Sequence, residues 1–344
     1  MKILKVVSIY IALIVLVILP FSSCNDDVLS PDVRQAFDFK AWDYSDSHYL
    51  LDTIYKSSFI DYSNNVNVTK QTQDLAVDDQ SFEVWVQTDI STVGYRYAGL
   101  YIDLPSLPSN GKYHDSLKLV SNPQQGVSTF GVVRRLSKSE YRLNKYAGYV
   151  SLIIDVPDNY FAGIGYKRSL TGEQFGTIST DSNIAPTDTL VLKMIKVANL
   201  IPQNTLAWEM KLKNIYNLPF ANVNSDGFEL NIKYLGTSYL PIDNLNSTLL
   251  TIMGLDKYTN GRSGTPDNKF DFLNGYTIDA ENGWIIFPDL KPFYSTLEAY
   301  SANGITIGPD YWYPEMYEQT KQEAKFSPNA SKYNIEGLAG TLNQ

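Results

Sequence analysis

Cysteine and histidine are nearly missing from this chain. Its 344 residues include one cysteine, Cys24, and two histidines, His48 and His114. One thiol cannot close an internal disulfide, and no Cys/His set has the spacing of a zinc site. A Ser-His-Asp triad needs a histidine beside an activated nucleophile, and neither histidine adjoins a nucleophile-elbow pattern. The Gly163-Ile164-Gly165 stretch runs on into strand-like sequence, so it is no phosphate loop. Basic residues are also in deficit, 28 against 37 acidic ones. An acidic surface repels nucleic-acid phosphates, which excludes that class of partner. No repeat of solenoid period is visible. Paired carboxylates remain open to a hydrolase, since so many acids form many pairs, but such an enzyme would need a deep cleft where they converge. This inventory points to a binding or scaffolding module, not an enzyme.

The N-terminus carries the strongest positive signal. Lys2 and Lys5 precede an apolar run from Val6 to Pro20, and Phe21-Ser22-Ser23 leads into Cys24. A charged start, an apolar middle and small residues before a cysteine form a lipoprotein signal peptide. The run of about 15 residues is shorter than the ~20 a spanning helix needs. Residues 1–23 are therefore expected to be removed and Cys24 to be lipidated, which with several acyl chains gives stable anchoring. Without Lys2 and Lys5 the remaining 26 basic and 37 acidic residues give a formal charge of −11. Asn25-Asp26-Asp27 behind the cysteine resembles a surface-export signal, and the expected location is the outer membrane, on its periplasmic or cell-surface face. Residues 24–45 read as the lipidated cysteine and its tether.

Beyond the tether, short alternating segments stand between turn clusters. Residues 82–86, 97–104, 149–156, 161–167 and 190–195 read as strands, as do 208–212 and 228–232. Residues 276–287 read as a hairpin, with Asn282-Gly283 at the positive-φ positions of a tight turn. One helix is expected over residues 314–325, with Pro314 in its first turn and Lys321 and Lys325 near its end. The expected fold is mainly β: two packed antiparallel, sandwich-like lobes, residues 46–200 and 201–344, the second ending in a minor helix.

Two clusters are candidate sites. Asp256, Asn260, Asp267, Asn268 and Asp271 fall in one loop with Gly261 and Gly264. Oxygen ligands at short spacing suit Ca²⁺, although the spacing is not that of an EF-hand and the same residues build any long turn. Tyr311-Trp312-Tyr313 cannot all face one core, so a partner, a neighbouring lobe or solvent should meet at least one ring.

An ordered set of segments carries a family resemblance. It comprises Phe82-Glu83-Val84-Trp85-Val86, Leu136-Ser137-Lys138-Ser139-Glu140-Tyr141 and Ala147-Gly148-Tyr149-Val150-Ser151-Leu152. Thr189-Leu190-Val191-Leu192-Lys193, residues 208–216, Phe228-Glu229-Leu230, Gly254-Leu255-Asp256 and Phe270-Asp271-Phe272 follow, and residues 275–293 close it. Together, over residues 81–333, these resemble the N-terminal soluble region of the SprA (Sov) family of gliding-motility and cell-surface proteins. The resemblance implies a part in type IX secretion, where that family supplies the outer-membrane translocon. Two departures limit it. Family members are far longer, and this chain shows no series of ~10-residue lipid-facing strands for a pore; nor is a lipobox expected of the whole family. The expectation is a lipid-anchored module acting by protein–protein contact at the outer membrane, standing alone or as part of a divided or truncated larger gene. The final Leu338-Ala339-Gly340-Thr341-Leu342 reads as a strand just starting and favours the latter. The rival expectation is a surface glycan-binding lipoprotein, marked by coplanar aromatic rings on one exposed face.

Overall fold

The alternating segment at residues 82–86 becomes the strand Glu83–Gln87, which lies inside the largest sheet with both faces covered. The computed structural model describes residues 34–65, 74–259 and 263–340; Cys24, the signal peptide and Asn260 lie outside them. Five strands of the large sheet close on themselves. Leu190–Lys196 pairs with Arg96–Tyr101, then come Ser128–Arg135, Glu83–Gln87 and Ala162–Lys167, which pairs back onto Leu190–Lys196. All pairings in the ring are antiparallel except Leu190–Lys196 with Arg96–Tyr101. A closed ring has no exposed edge to manage. Ala98, Leu100, Leu190, Leu192 and Trp85 fill its interior. Gly163 makes room for them: a Cβ there would sit 2.7 Å from Leu100 and 3.1 Å from Leu192.

Apolar side chains gather into two large clusters within the compact unit of residues 34–344. The first surrounds the ring and takes in the His48–Leu50, Tyr149–Leu152 and Tyr141–Asn144 sheet with the helix Tyr55–Asn64. The second lies under a sheet ordered Gln35–Lys40, Tyr333–Ala339, Glu229–Tyr234. Between them stands a small sheet of Ile215–Asn217, Trp284–Ile286 and Ile278–Asp279. Its alternation supplies both cores. Ile215, Trp284 and Ile286 enter the first cluster, whereas Tyr216, Ile285 and Ile278 enter the second. The register agrees, since Ile215 pairs with Ile286 and Tyr216 with Ile285.

The protein is mainly β, with several antiparallel sheets and few helices. Four local expectations need correction. The stretch expected as tether ends early, because Gln35–Lys40 is a strand and Phe37, Ala41 and Tyr44 are buried in the second cluster. Trp208 lies on the helix Thr205–Met210 instead of a strand; only Lys211 and Leu212 run on extended, against Tyr49 and His48. The expected helix over 314–325 is two, Glu315–Glu318 and Lys321–Lys325, broken where Gln319 is extended. Thr320 restarts it with a capping box to Glu323, a pattern whose T-x-x-E signature is local. Leu338 and Ala339 end the strand Tyr333–Ala339, the middle strand of its sheet, and do not begin one.

The hairpin forms as expected, pairing Ile278 with Ile285 and Asp279 with Trp284. Gly283 alone of its turn pair has positive φ, +69°, while Asn282 donates both its backbone and side-chain N–H groups to Asp279 at 3.0 Å.

Candidate functional site

The helix Thr205–Met210 sits where the two clusters meet. Ala207 and Met210 belong to the first, and the Trp208 indole Nε1–H donates to the Tyr317 carbonyl at 2.5 Å beside the second. Two cavities flank this helix and share Trp208 and Lys211 in their walls. The larger, about 500 Å³, is lined by Tyr44, Asp46, Asp158, Lys196, Lys211 and Lys321 among others. The smaller, about 350 Å³, has Lys56, Lys213, Lys291, Glu209 and Asp289 around the same pair. Six different lysines thus face two adjoining hollows on an acidic chain. Pockets of this size at the junction of two cores are where ligands commonly bind.

Each lysine is held differently. Lys211 and Lys321 share Asp46, at 2.6 and 2.9 Å, and Lys321 also donates to the Tyr44 carbonyl at 2.6 Å. Burial pushes the Asp46 carboxyl up, but the two ammonium groups outweigh it and the net shift is downward. Lys196 donates to the carbonyls of Pro157 and Tyr160, both at 2.7 Å, and Asp158 at 3.4 Å. Burial still brings its pKa down to about 8. Lys213 lies 4.0 Å from the Trp208 ring centroid and donates to the Trp208 carbonyl at 3.2 Å. Burial first, then Lys211 and Lys291, bring it down to about 7. Sequence reasoning missed this site, because lysines 56 to 321 converge only through tertiary packing.

His48 and Ser151 are cross-strand partners, Nδ1 to Oγ at 2.6 Å. Both are buried, and the edge of the His48 ring meets Trp284 at 4.8 Å. Burial drives the imidazole down to about 3, far from the neutral value suited to a general base. A triad has a carboxylate hydrogen-bonded to the imidazole, whereas the side chains that approach the His48 ring nitrogens are Ser151 and Asn217. The His114 side chain instead accepts from the Ser116 backbone N–H at 3.2 Å in an exposed loop.

The carboxylates of the loop proposed for Ca²⁺ face their own backbone. Asp256 accepts from Thr251 Oγ1 at 2.7 Å, Asp267 N at 2.9 Å and Asn268 N at 3.0 Å. Asp271 accepts from Lys257 N at 2.6 Å and Tyr258 N at 3.2 Å. Burial raises the Asp271 pKa against those amides. Among the described residues no group of three or more acidic or histidine side chains converges as a metal cage. These residues fold the loop.

Tyr311, Trp312 and Tyr313 all pack on the second cluster. Tyr313 is fully buried and donates to the Ala324 carbonyl at 2.5 Å. Trp312 donates to the Ile307 carbonyl at 3.2 Å and Tyr311 to that of Pro241 at 3.3 Å. Lobe packing accounts for all three.

A third cavity, about 400 Å³, holds Tyr62, Tyr146, Arg142, Lys145, Asp79 and Asp279 among its walls. Tyr62 stacks on Tyr276 at 4.8 Å and 11°, and lies 6.4 Å from Tyr146 at 20°. At 4.8 Å one ring covers the face of the next, so the set is a stack and not a flat platform.

The sequence matches no protein-family model and no curated protein. No helix among the described residues is long and apolar enough to cross a membrane.

Proposed function

We propose that this chain is a lipid-tethered contact module of the outer membrane, akin to the N-terminal soluble region of the SprA family, that works by protein–protein contact. The observation that carries this reading is the cleft beside Trp208, where six lysines and the carboxylates Asp46, Asp158, Glu209 and Asp289 line two adjoining hollows. Lys211 and Lys321 share one partly exposed carboxylate, Asp46. A partner carboxylate can join or replace Asp46 there, with Trp208 and Tyr49 as apolar walls. Anchorage through Cys24 would confine the body to a membrane surface and raise its effective concentration towards other membrane components. The two histidines, one buried and neutral and one in a surface loop, supply no acid–base pair for the cleft.

The test is crosslinking in native membranes followed by mild detergent extraction. Wild-type protein should recover outer-membrane secretion or gliding proteins. Lys211→Glu with Lys321→Glu should reduce that recovery at least tenfold without altering the circular dichroism spectrum. Equal recovery by the double variant would remove the cleft from the contact.

A second reading, a surface glycan-binding lipoprotein, has the 400 Å³ cavity lined by Tyr62, Tyr146, Asp79, Asp279 and Arg142 to draw on, although its rings stack instead of lying in one plane. Glycan binding by purified protein that Tyr62→Ala abolishes, with no protein crosslinked in membranes, would replace the first reading.

A further inference from the structure

Two buried lysines border the cleft, and their hydrogen bonding sets them apart. Lys196 donates to three carbonyls, which occupy all three N–H groups of an ammonium. Lys213, only 5% exposed, has one carbonyl acceptor among the described residues and otherwise lies over the Trp208 ring. It lines the 350 Å³ cavity, whose charged and titratable walls are Lys56, Glu209, Lys211, Asp289, Lys291 and Tyr317. Lys56 is paired with Glu209 at 2.6 Å, and Lys291 lies over the Tyr317 ring at 5.9 Å. Burial, Lys211 and Lys291 disfavour an ammonium at position 213, opposed by Asp46 and Glu209. A buried lysine that lines a cavity and has one carbonyl acceptor has, as the free amine, a lone pair to offer a ligand there.

We propose that Lys213 is a nucleophilic amine site that captures small anionic carbonyl compounds as an imine in the cavity beside Trp208. The carbonyl carbon takes the Nζ lone pair, and the π electrons of the C=O bond move to oxygen, which is protonated. The resulting hydroxyl leaves as water, with the nitrogen giving up its protons, and C=N replaces C=O. No oxidant or reductant enters. Lys56 is already paired with Glu209, so Lys291, which has no ion pair among the described residues, is the cation left to meet an anionic substituent; the volume suits a molecule the size of a keto acid or a phosphorylated aldehyde. At pH 7.5 an ordinary exposed lysine is free base to roughly one part in a thousand, whereas Lys213, with a pKa of about 7, is largely so.

The experiment uses pyridoxal 5′-phosphate as probe, with borohydride trapping and peptide mapping by mass spectrometry on wild-type protein. At pH 7.5 Lys213 should be modified at least tenfold faster than Lys138, whose side chain is 54% exposed. That preference should shrink towards unity as the pH approaches 10. Benzaldehyde, an uncharged aldehyde, should label Lys213 several-fold more slowly. Labelling that simply follows exposure, or a Lys213 preference indifferent to pH, overturns the amine site; equal rates for the two aldehydes overturn its anion selectivity. Lys213→Met should abolish the adduct. If that variant does not fold, the wild-type competition decides alone.

Discussion

Ile215 and Tyr216 are consecutive residues of one three-residue strand, and their side chains lie in different hydrophobic cores. The same division recurs on the neighbouring strand, where Ile285 enters one core between Trp284 and Ile286 in the other. A sheet that serves as a shared wall couples the two cores, since neither packs without the strand that supplies both.

Equilibrium unfolding should therefore be a single transition, with tryptophan fluorescence and far-ultraviolet circular dichroism coincident. Ile285→Ala removes buried volume only from the second core, at a cost of roughly 2–4 kcal/mol. It should nevertheless shift both signals together. Two resolved transitions, only one of them displaced, would show that the cores unfold independently.

Acid should weaken the fold through His48. Its folded pKa is pushed down by burial to about 3, from an ordinary 6.5. Between those values the unfolded chain binds a proton that the folded chain refuses. Stability is thus fully present above pH 6.5 and declines as the pH falls towards 3, by a few kcal/mol at about 1.4 kcal/mol per pKa unit. His48→Gln should flatten the dependence between pH 6.5 and 4.5, above most carboxylate titrations. A variant that keeps the wild-type slope there would assign the dependence to other groups.

Gly283 combines a φ of +69° with a close approach, since a Cβ there would lie 2.1 Å from the Phe220 carbonyl oxygen. Gly283→Val should lower stability by more than ~1 kcal/mol, from the left-handed backbone alone. The check is the urea midpoint. No change would mean that residue 283 does not hold the left-handed turn position.

Cys24→Ser should abolish lipid labelling and release the body from the membrane fraction. Protein that stays bound through high-salt and carbonate washes would have another anchor, and the lipoprotein reading would fall.

The legible parts of the fold were those written locally. Residues 82–86 and 228–232 alternate because strand side chains alternate, and Asp279, Asn282 and Gly283 hold the chemistry of their own turn. The Trp208 segment misled because Met210 and Leu212 do alternate about Lys211, while Ala207 and Trp208 are buried on adjacent turn positions. The acidic loop left two readings open. Asp256 and Asp271 have the composition of a cation site, but which donors a carboxylate meets depends on the path of the loop, and here the donors are backbone amides.

By itself, then, the sequence determined the strand-rich character, the hairpin at residues 278–286 and the acidic surface, all properties of neighbouring residues. Tertiary structure alone decided that Arg96–Tyr101 lies parallel to Leu190–Lys196 and closes the ring, since no local pattern encodes a pairing between segments nearly a hundred residues apart. It alone placed six lysines around Trp208. Whether a lysine is an ordinary surface cation or a buried amine near neutrality depends on the solvent and charges around it, and those neighbours come from distant parts of the chain.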